Sequence, residues 1–260
     1  MTPARQALSV GCAGLPATSL EHIIATADLQ TRVDRKYLVP PAVFAHLLAR
    51  LDSRMKVLDI DGRRLFEYES VYFDTPELLA YHQHVGGRRR RFKVRTRTYV
   101  DSAQSMLEVK TAGGRDETVK DRHPYQLDER YGLNPWAREV VGGRLGDSAL
   151  AQRLELSLVS RYHRATLVEP ATGSRLTCDV DLDFENHRER RSGPDDLVLI
   201  ESKTTGAASL ADRTLWRLGH RPATVTKYCV GLALLHPQLR ANRWNRTLRG
   251  TFGWSPCRSA

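Results

Sequence analysis

Cationic side chains recur at every second position in one stretch of this sequence. Between Phe92 and Tyr99, the residues Lys93, Arg95 and Arg97 alternate with apolar or hydroxyl side chains. A period of two is typical of a β-strand and places the three cations on one face. Guanidinium and ammonium groups bind the non-bridging oxygens of phosphates. This face therefore has the chemistry to hold a phosphate-rich anion.

Later segments repeat this pattern and add carboxylates to it. Such faces can lie in water on one side of an antiparallel sheet. Alternatively, a closed barrel with the charged faces inward would form a cationic tunnel. Buried cations without partners are costly, so a tunnel requires water and a polyanion in its lumen and carboxylates that hold a divalent cation. The concentration of charged residues on these faces favours the tunnel. These residues are Arg95/Arg97, Glu108/Lys110, Lys120/Arg122, Arg164, Arg175/Asp179 and Glu201/Lys203.

Helical periodicities and turn residues separate the strand-like segments. Helices are predicted where apolar residues recur at a spacing of three or four, and strands where they alternate. We therefore expect an α+β protein without the GxxxxGK[ST] sequence of P-loop proteins. The predicted helices cover 19–29, 40–52, 75–81, 208–219 and 227–236, and the predicted strands cover 31–39, 64–74, a three-stranded meander in 88–123, 156–168, 174–186 and 197–205.

The composition is strongly basic. Lys and Arg number 40 against 30 Asp and Glu, which gives a formal net charge of +10. This excess indicates a polyanionic partner: nucleic acid, an acidic membrane surface or a phosphate-rich small molecule. The four cysteines form no CxxC pair, so we expect a reducing compartment and neither a zinc site nor a disulfide framework. No run approaches the roughly 18 apolar residues of a membrane span, and we expect a cytoplasmic protein.

Three segments are expected along the chain. Residues 1–18 lack periodicity and are predicted to be a flexible arm. Residues 19–237 form the globular domain, in which 124–155 is a helical insertion. Residues 238–260 form a basic C-terminal tail, either docked or disordered. The run Arg88–Arg90 forms a solvated loop or the rim of the tunnel.

Several short motifs resemble those of a known family in both type and order. DRKYLV, VYFDTPEL, FKVRTRTY, LEVK, RYHR, RLTCDVDL, IESK and TKY are similar to successive motifs of the VTC domain, over about residues 30–236. This is the polyphosphate polymerase domain of the vacuolar transporter chaperone family, in the triphosphate tunnel metalloenzyme superfamily. The resemblance implies an antiparallel eight-stranded β-barrel tunnel with flanking helices. It also implies metal-dependent transfer of the γ-phosphate of ATP onto a polyphosphate chain.

The resemblance also assigns roles to individual residues. The carboxylate of Glu201 would bind Mn²⁺ or Mg²⁺, with help from Glu108 or Asp179. Arg95, Arg97, Lys110, Arg164 and Arg175 would hold the triphosphate. The complete set of basic site residues is Lys36, Arg95, Arg97, Lys110, Lys120, Arg164, Arg175, Lys203 and Lys227.

One position departs from the superfamily pattern. The wider superfamily opens with an ExExK strand that supplies metal ligands, whereas this chain has Arg32, Asp34 and Lys36 there. The loss of the first acid disfavours a two-metal triphosphatase and fits the polymerase branch. Eukaryotic relatives also carry a phosphate-sensing domain and membrane helices. This chain shows neither, so coupling to translocation would need a separate membrane partner.

Other functions remain possible on the same residues. A hydrolase of nucleoside triphosphates or short-chain polyphosphate would use the tunnel to activate water. A non-catalytic polyphosphate or nucleotide sensor would bind without turnover. A nucleic-acid binder is disfavoured, because carboxylates lie among the bases and the interleaved aromatics, Phe92 and Tyr99, are few.

Overall fold

In the computed structural model, residues 1–27, 33–51, 54–112 and 118–256 are described. Within them the chain forms nine α-helices and eleven strands. The helices are α1 Pro3–Ala13, α2 Leu20–Ala27, α3 Pro41–Leu51, α4 Leu79–Val85, α5 Pro135–Leu145, α6 Ser148–Gln152, α7 Leu210–Arg217, α8 Lys227–Leu235 and α9 Asn245–Phe252. The strands are β1 Ala17–Thr18, β2 Val33–Val39, β3 Lys56–Leu58, β4 Phe66–Asp74, β5 Phe92–Tyr99, β6 Gln104–Ala112, β7 Thr118–Tyr125, β8 Glu155–Glu169, β9 Ser174–Glu185, β10 Arg190–Ser192 and β11 Val198–Thr204.

The strands belong to one hydrogen-bonded sheet. Its main path has the order β2-β11-β9-β8-β4-β5-β6-β7, and β1, β3 and β10 pair beside that path. The pairs β4–β5, β5–β6 and β6–β7 are antiparallel, and so are the pairs β2–β11 and β11–β9. In contrast, β1 and β3 pair in parallel. The predicted α+β class with a large antiparallel sheet is therefore confirmed. The path is open between β2 and β7 in the described residues, so closure into a barrel is not confirmed.

The chain divides into two compact units. The first unit comprises Met1–Phe66, Tyr162–Leu182 and Pro194–Thr224. The second unit comprises Glu67–Arg161, Asp183–Gly193 and Val225–Ala260. Each unit takes part of β8 and β9, so each contains its own stretch of antiparallel sheet backed by helices.

The core of the first unit lies between one face of its strands and the helices α1, α3 and α7. Tyr37 and Val39 of β2 and Val198 and Ile200 of β11 are fully buried there. Because side chains alternate along a strand, the residues between them lie on the opposite face. That opposite face carries Lys36 and the charged residues of β9 and β11.

The second unit repeats this arrangement with other helices. Val94 of β5 and Leu107 and Val109 of β6 are buried against the segments that contain α4, α5 and α6. The strands β5, β6 and β7 form the predicted meander, in register Arg95↔Glu108↔Arg122. The alternate residues of these three strands form a second charged face.

The N-terminal residues differ from the prediction of a flexible arm. Pro3–Ala13 form a helix whose N-cap, Thr2, accepts a hydrogen bond from the backbone N–H of Arg5 at 3.2 Å. Pro3 at the start of the helix has a suitable φ angle, and Ala4, Leu8 and Cys12 recur every fourth residue and are buried. Their spacing is a helical signal that the Gly and Pro residues nearby obscured.

Other predicted elements agree with the structure, with small shifts at their ends. Asp147 caps α6, and Ser19 accepts a hydrogen bond from the backbone of His22 at the start of α2. Three predictions lie outside the described residues: the end of the first helix near Leu29, the residue Arg32 and the turn at Gly113–Gly114. In the described part of the chain, no helix has the length and apolar character needed to span a membrane.

Candidate functional site

A buried carboxylate organises the charged face of the second unit. Glu108 of β6 is 1% exposed and lies directly opposite Arg95 of β5. Arg95 donates to Glu108 Oε2 from Nε at 2.7 Å and from Nη2 at 2.5 Å. Lys120 Nζ lies 2.7 Å from Oε1, and Arg97 Nε lies 4.0 Å from Oε2. One carboxylate thus serves three cations.

The protonation of this face reflects an excess of positive charge. Burial alone would raise the pKa of Glu108, but the charges of Arg95, Arg97 and Lys120 hold it well below its usual range. Burial and the neighbouring arginines lower the pKa of Lys110 well below its usual value. Burial also lowers the pKa of Lys120 to about 8, although Glu108 opposes the shift. Glu108 alone does not neutralise these cations, so an anion bound here would be strongly favoured.

Two tyrosines of β4 hold the arginines from the adjacent strand. The hydroxyl of Tyr72 accepts a hydrogen bond from Arg95 Nη1 at 3.1 Å. The Arg95 guanidinium lies 5.6 Å from the centre of the Tyr72 ring, and that of Arg97 lies 5.8 Å from the Tyr68 ring. Although burial raises the pKa of Tyr72, the charges of Arg95, Arg97 and Lys227 lower it overall. Sequence reasoning missed both tyrosines, even though they alternate with Val71 along β4.

The helix α8 brings Lys227 to the same face. Thr226 caps this helix by accepting a hydrogen bond from the backbone of Cys229 at 3.1 Å. The next residue, Tyr228, stacks near Tyr72 with ring centres 5.1 Å apart. The Tyr228 hydroxyl donates a short hydrogen bond to Asp74, a fully buried carboxylate. Asp74 also accepts from the backbone N–H groups of α4, so it ties α8 to α4.

The first unit carries a separate charged cluster around Glu201 of β11. Lys36 of β2 lies opposite Glu201 in the ladder, with Nζ 3.6 Å from Oε1. Lys203 Nζ lies 3.3 Å from Oε2. Burial and the nearby charges of Arg164 and Arg175 lower the pKa of Lys203 to about 8, while Glu201 opposes the shift. This lysine is therefore also poised for a further anion.

Next to it, Arg164 and Asp179 form a bidentate pair. Arg164 Nε and Nη2 donate to the two carboxylate oxygens at 2.6 and 2.7 Å. Asp179 is fully buried, and Arg164 is 7% exposed. Burial would lower the pKa of Arg164, but Asp179 raises it well above its usual value, so the pair is permanently charged. Two-point pairing fixes the direction of the guanidinium.

The three carboxylates predicted to bind metal differ in their availability. Both carboxylate oxygens of Asp179 contact Arg164, and those of Glu108 contact Arg95 and Lys120. Glu201 makes longer contacts, at 3.3 and 3.6 Å, and its side chain is 16% exposed. Among the described residues, no group of three or more His, Cys, Asp or Glu side chains is arranged to hold a metal. Glu201 therefore suits a hard divalent cation that takes its other ligands from phosphates and water.

The structure distributes the predicted site residues over both units. Those of the first unit are Lys36, Arg164, Arg175, Asp179, Glu201 and Lys203. Those of the second unit are Arg95, Arg97, Glu108, Lys110, Lys120 and Lys227. Within each unit, the strand residues of this set lie on the charged face of the sheet, whereas Lys227 lies at the start of α8.

The fold and these faces define an α+β domain whose sheet carries cationic faces with few acids. A family model for the VTC domain matches residues 31–236. The chain belongs to the VTC domain family, which confirms the assignment made from the sequence motifs. A search of curated proteins found no match.

Several solved structures are similar to this chain at low sequence identity. A putative adenylyl cyclase from Hippeastrum, described as having a dominant triphosphatase activity, is 15% identical with a TM-score of 0.51. The match covers 77% of this chain and 94% of that one. Two archaeal proteins align less well: one from Pyrococcus horikoshii (13% identity, TM-score 0.38) and one from Pyrococcus furiosus (15%, 0.37), each over 73% of this chain and 88% of its own. Of these three, the Hippeastrum protein has a TM-score above 0.5 and supports the fold.

Proposed function

We propose that this protein is a metal-dependent polyphosphate polymerase that transfers the γ-phosphate of ATP onto a polyphosphate chain. The observation that carries this proposal is the face around Glu108, where one carboxylate accompanies Arg95, Arg97, Lys110 and Lys120. A face with this excess of buried cations gains stability when phosphate oxygens replace the missing negative charge. Membership of the VTC family supports the same assignment.

The proposed chemistry depends on positioning and electrostatics. An oxygen of the terminal phosphate of the acceptor attacks the γ-phosphorus in line. A new P–O bond forms while the bond from the γ-phosphorus to the β,γ-bridging oxygen breaks, and ADP leaves. Arg95 and Arg97 are held by Glu108 and the β4 tyrosines, so little reorganisation accompanies binding. Lys110, Lys120 and Lys227 supply further charge to the phosphate oxygens.

The charged cluster of the first unit has a proposed role of its own, which is metal binding. Arg164 is fixed by Asp179, and Lys36 and Lys203 flank Glu201. Glu201 would hold Mn²⁺ or Mg²⁺, which would supply positive charge to the phosphate groups. The proposal also includes a closed eight-stranded tunnel and Arg175 as a further phosphate contact. It further includes a cytoplasmic location and a separate membrane partner.

Hydrolysis of a triphosphate is the second candidate. It is favoured by the similarity in fold to the Hippeastrum protein, which is described as having a dominant triphosphatase activity. The same cations would then hold the triphosphate while water replaces the acceptor phosphate.

The products of ATP turnover distinguish these functions. The full chain is incubated with ATP and either Mn²⁺ or Mg²⁺, and the products are resolved on a gel stained for polyphosphate and assayed for ADP and orthophosphate. A polymerase yields long polymer with ADP, and a hydrolase yields orthophosphate without polymer. Binding of ATP without either product would identify a sensor and would overturn both enzymatic assignments.

A further inference from the structure

Four arginines recur at every third position near the C-terminus. Arg240, Arg243, Arg246 and Arg249 are all exposed. The last three lie on the 3-10 turn Asn242–Trp244 and on α9. Residues three apart on a helix lie on neighbouring positions of one side, so Arg246 and Arg249 project together. We call these four residues the arginine row.

The segment that carries the arginine row is anchored by buried aromatic residues. Trp244 is 2% exposed and packs near Tyr81, and Leu248 is fully buried. Trp254 Nε1 donates to the carbonyl of Ala233 at 2.8 Å. Tyr81 donates from its hydroxyl to the carbonyl of Arg240 at 3.0 Å. The arginine row is thus held at a fixed place on the second unit, as part of the fold.

This anchoring places the arginine row beside the run Arg88–Arg91. Arg243 Nη1 donates to the carbonyl of His84 at 3.1 Å, and a Cβ at Gly87 would lie 3.4 Å from the same nitrogen. His84 itself donates from Nε2 to the carbonyl of Phe92 at 3.1 Å. Burial lowers the pKa of His84 to about 3, and the charges of Lys93, Arg91 and Arg243 add to that effect. Cations from both segments therefore converge around one imidazole.

The two segments contain no compensating charge. Neither residues 79–93 nor residues 237–254 include an Asp or Glu. By contrast, the exposed Arg153 has an acidic partner, Glu77, at 2.7 Å. A fixed surface with many cations and no acid attracts a polyanion and raises its local concentration.

We propose that the arginine row and Arg88–Arg91 form a second polyanion-binding surface, which holds a linear polyphosphate chain as it extends from the charged face of the second unit. This inference rests on the proposed function for the identity of the polyanion. The strand β5 leads directly from Arg91 through Lys93 to Arg95, so the two surfaces are continuous along one strand. The family match ends at residue 236, and the arginine row lies beyond it.

Polyphosphate fits this surface better than a nucleic acid does. Proteins that bind single strands stack the bases on exposed aromatic side chains. Here Phe92, Trp244 and Trp254 are buried at 5%, 2% and 7% exposure. The surface offers charge without stacking platforms, which matches a polymer that consists of phosphate alone.

The test measures binding without turnover. The variant R240Q/R246Q/R249Q removes three exposed side chains and keeps the bond from Arg243 to His84. The control R50Q/R54Q/R217Q removes the same number of exposed arginines from the first unit. Both variants and the parent are titrated calorimetrically with long-chain polyphosphate, with tripolyphosphate and with single-stranded RNA at several salt concentrations.

We expect R240Q/R246Q/R249Q to lose about tenfold or more in affinity for long-chain polyphosphate, with tripolyphosphate affinity and the initial ATPase rate unchanged. The slope of log affinity against log salt should become shallower by about two, at about 0.7 for each lost contact. If the control variant loses as much affinity for long-chain polyphosphate, or if neither variant loses any, the proposal of a second polyanion-binding surface is wrong. A loss confined to RNA would assign the surface to nucleic acid instead. If the parent makes no polymer from ATP but R240Q/R246Q/R249Q still has a lower affinity for polyphosphate, the proposed function is wrong. The proposal of a polyanion-binding surface is then still supported.

Discussion

Arg95 and Glu108 lie directly opposite each other on β5 and β6 and form two hydrogen bonds, at 2.7 and 2.5 Å. The pair does more than neutralise two charges. Glu108 also serves Lys120 and Arg97, so its removal would leave several buried cations without their acid. The stability of this face without ligand therefore depends on one side chain.

Replacing Glu108 with Gln should destabilise the protein by about 3 kcal/mol or more, because it breaks a buried ion pair from one side. Thermal unfolding measures the loss. Tripolyphosphate should restore more stability to E108Q than to the parent, since phosphate oxygens replace the missing carboxylate.

The matched control is E77Q, which removes an acid from the exposed pair with Arg153. Exposed pairs contribute about 0–1 kcal/mol, so E77Q should unfold close to the parent. If E108Q and E77Q unfold at the same temperature, Glu108 does not stabilise the cationic face.

The affinity for phosphate should depend on pH because Lys120 and Lys203 have pKa values of about 8 in the free protein. A bound phosphate favours the charged ammonium and raises these pKa values, so binding takes up protons near pH 8. Affinity for tripolyphosphate is then highest below pH 8 and falls as the pH rises, by up to about tenfold per pH unit for each lysine.

The variants K120R and K203R should each flatten this profile, because arginine stays charged throughout the range. Calorimetric titration at pH 7 and pH 9.5 provides the comparison. A steep pH dependence that survives in the double variant would place the titrating groups elsewhere.

The acids Glu201 and Asp179 should behave differently when each is replaced by its amide. Glu201 has longer contacts and partial exposure, so E201Q should fold normally and lose about 100-fold or more in metal-dependent activity. Asp179 holds Arg164 at two points in a fully buried site, so D179N should lose about 3–5 kcal/mol of stability.

Circular dichroism with thermal unfolding, together with activity over a range of Mn²⁺ and Mg²⁺ concentrations, separates the two effects. If E201Q keeps full activity at every metal concentration, Glu201 is not the metal ligand. If D179N unfolds at the same temperature as the parent, the pair of Asp179 with Arg164 contributes little to stability.

The alternation of charge along the strands was sufficient to predict the charged faces. Within single strands it grouped Arg95 with Arg97, Glu108 with Lys110 and Glu201 with Lys203, since side-chain direction in a strand depends only on local position. The motifs also indicated the family correctly. What periodicity could not supply was the pairing of the acids, because ion pairs depend on the register between strands that are distant in sequence.

For the same reason, the roles of Tyr72 and Asp74 were not predictable. Both lie on β4, where the sequence FEYESVYFD mixes aromatic, apolar and acidic residues and singles out neither of them. Their partners, Arg95 and Tyr228, come from β5 and from a helix far along the chain. The helix α1 was missed for a different cause: its apolar face is narrow and consists of Ala4, Leu8 and Cys12.

Close packing at Gly231 should control the position of α8 and hence of Lys227. A Cβ at Gly231 would lie 2.5 Å from Phe184 Cδ1 and 2.8 Å from Leu158 Cδ2, and both neighbours are buried. G231A therefore forces α8 to shift or these side chains to leave their rotamers, at a cost of about 1–3 kcal/mol in stability.

Gly143 in α5 is the control, since nothing lies within 4 Å of a Cβ there, and G143A should stabilise the helix by about 0.5–1 kcal/mol. Chemical denaturation measures both changes. If a shift of α8 displaces Lys227, G231A should also raise the KM for ATP; stability equal to or above that of the parent would show that α8 has room to adjust.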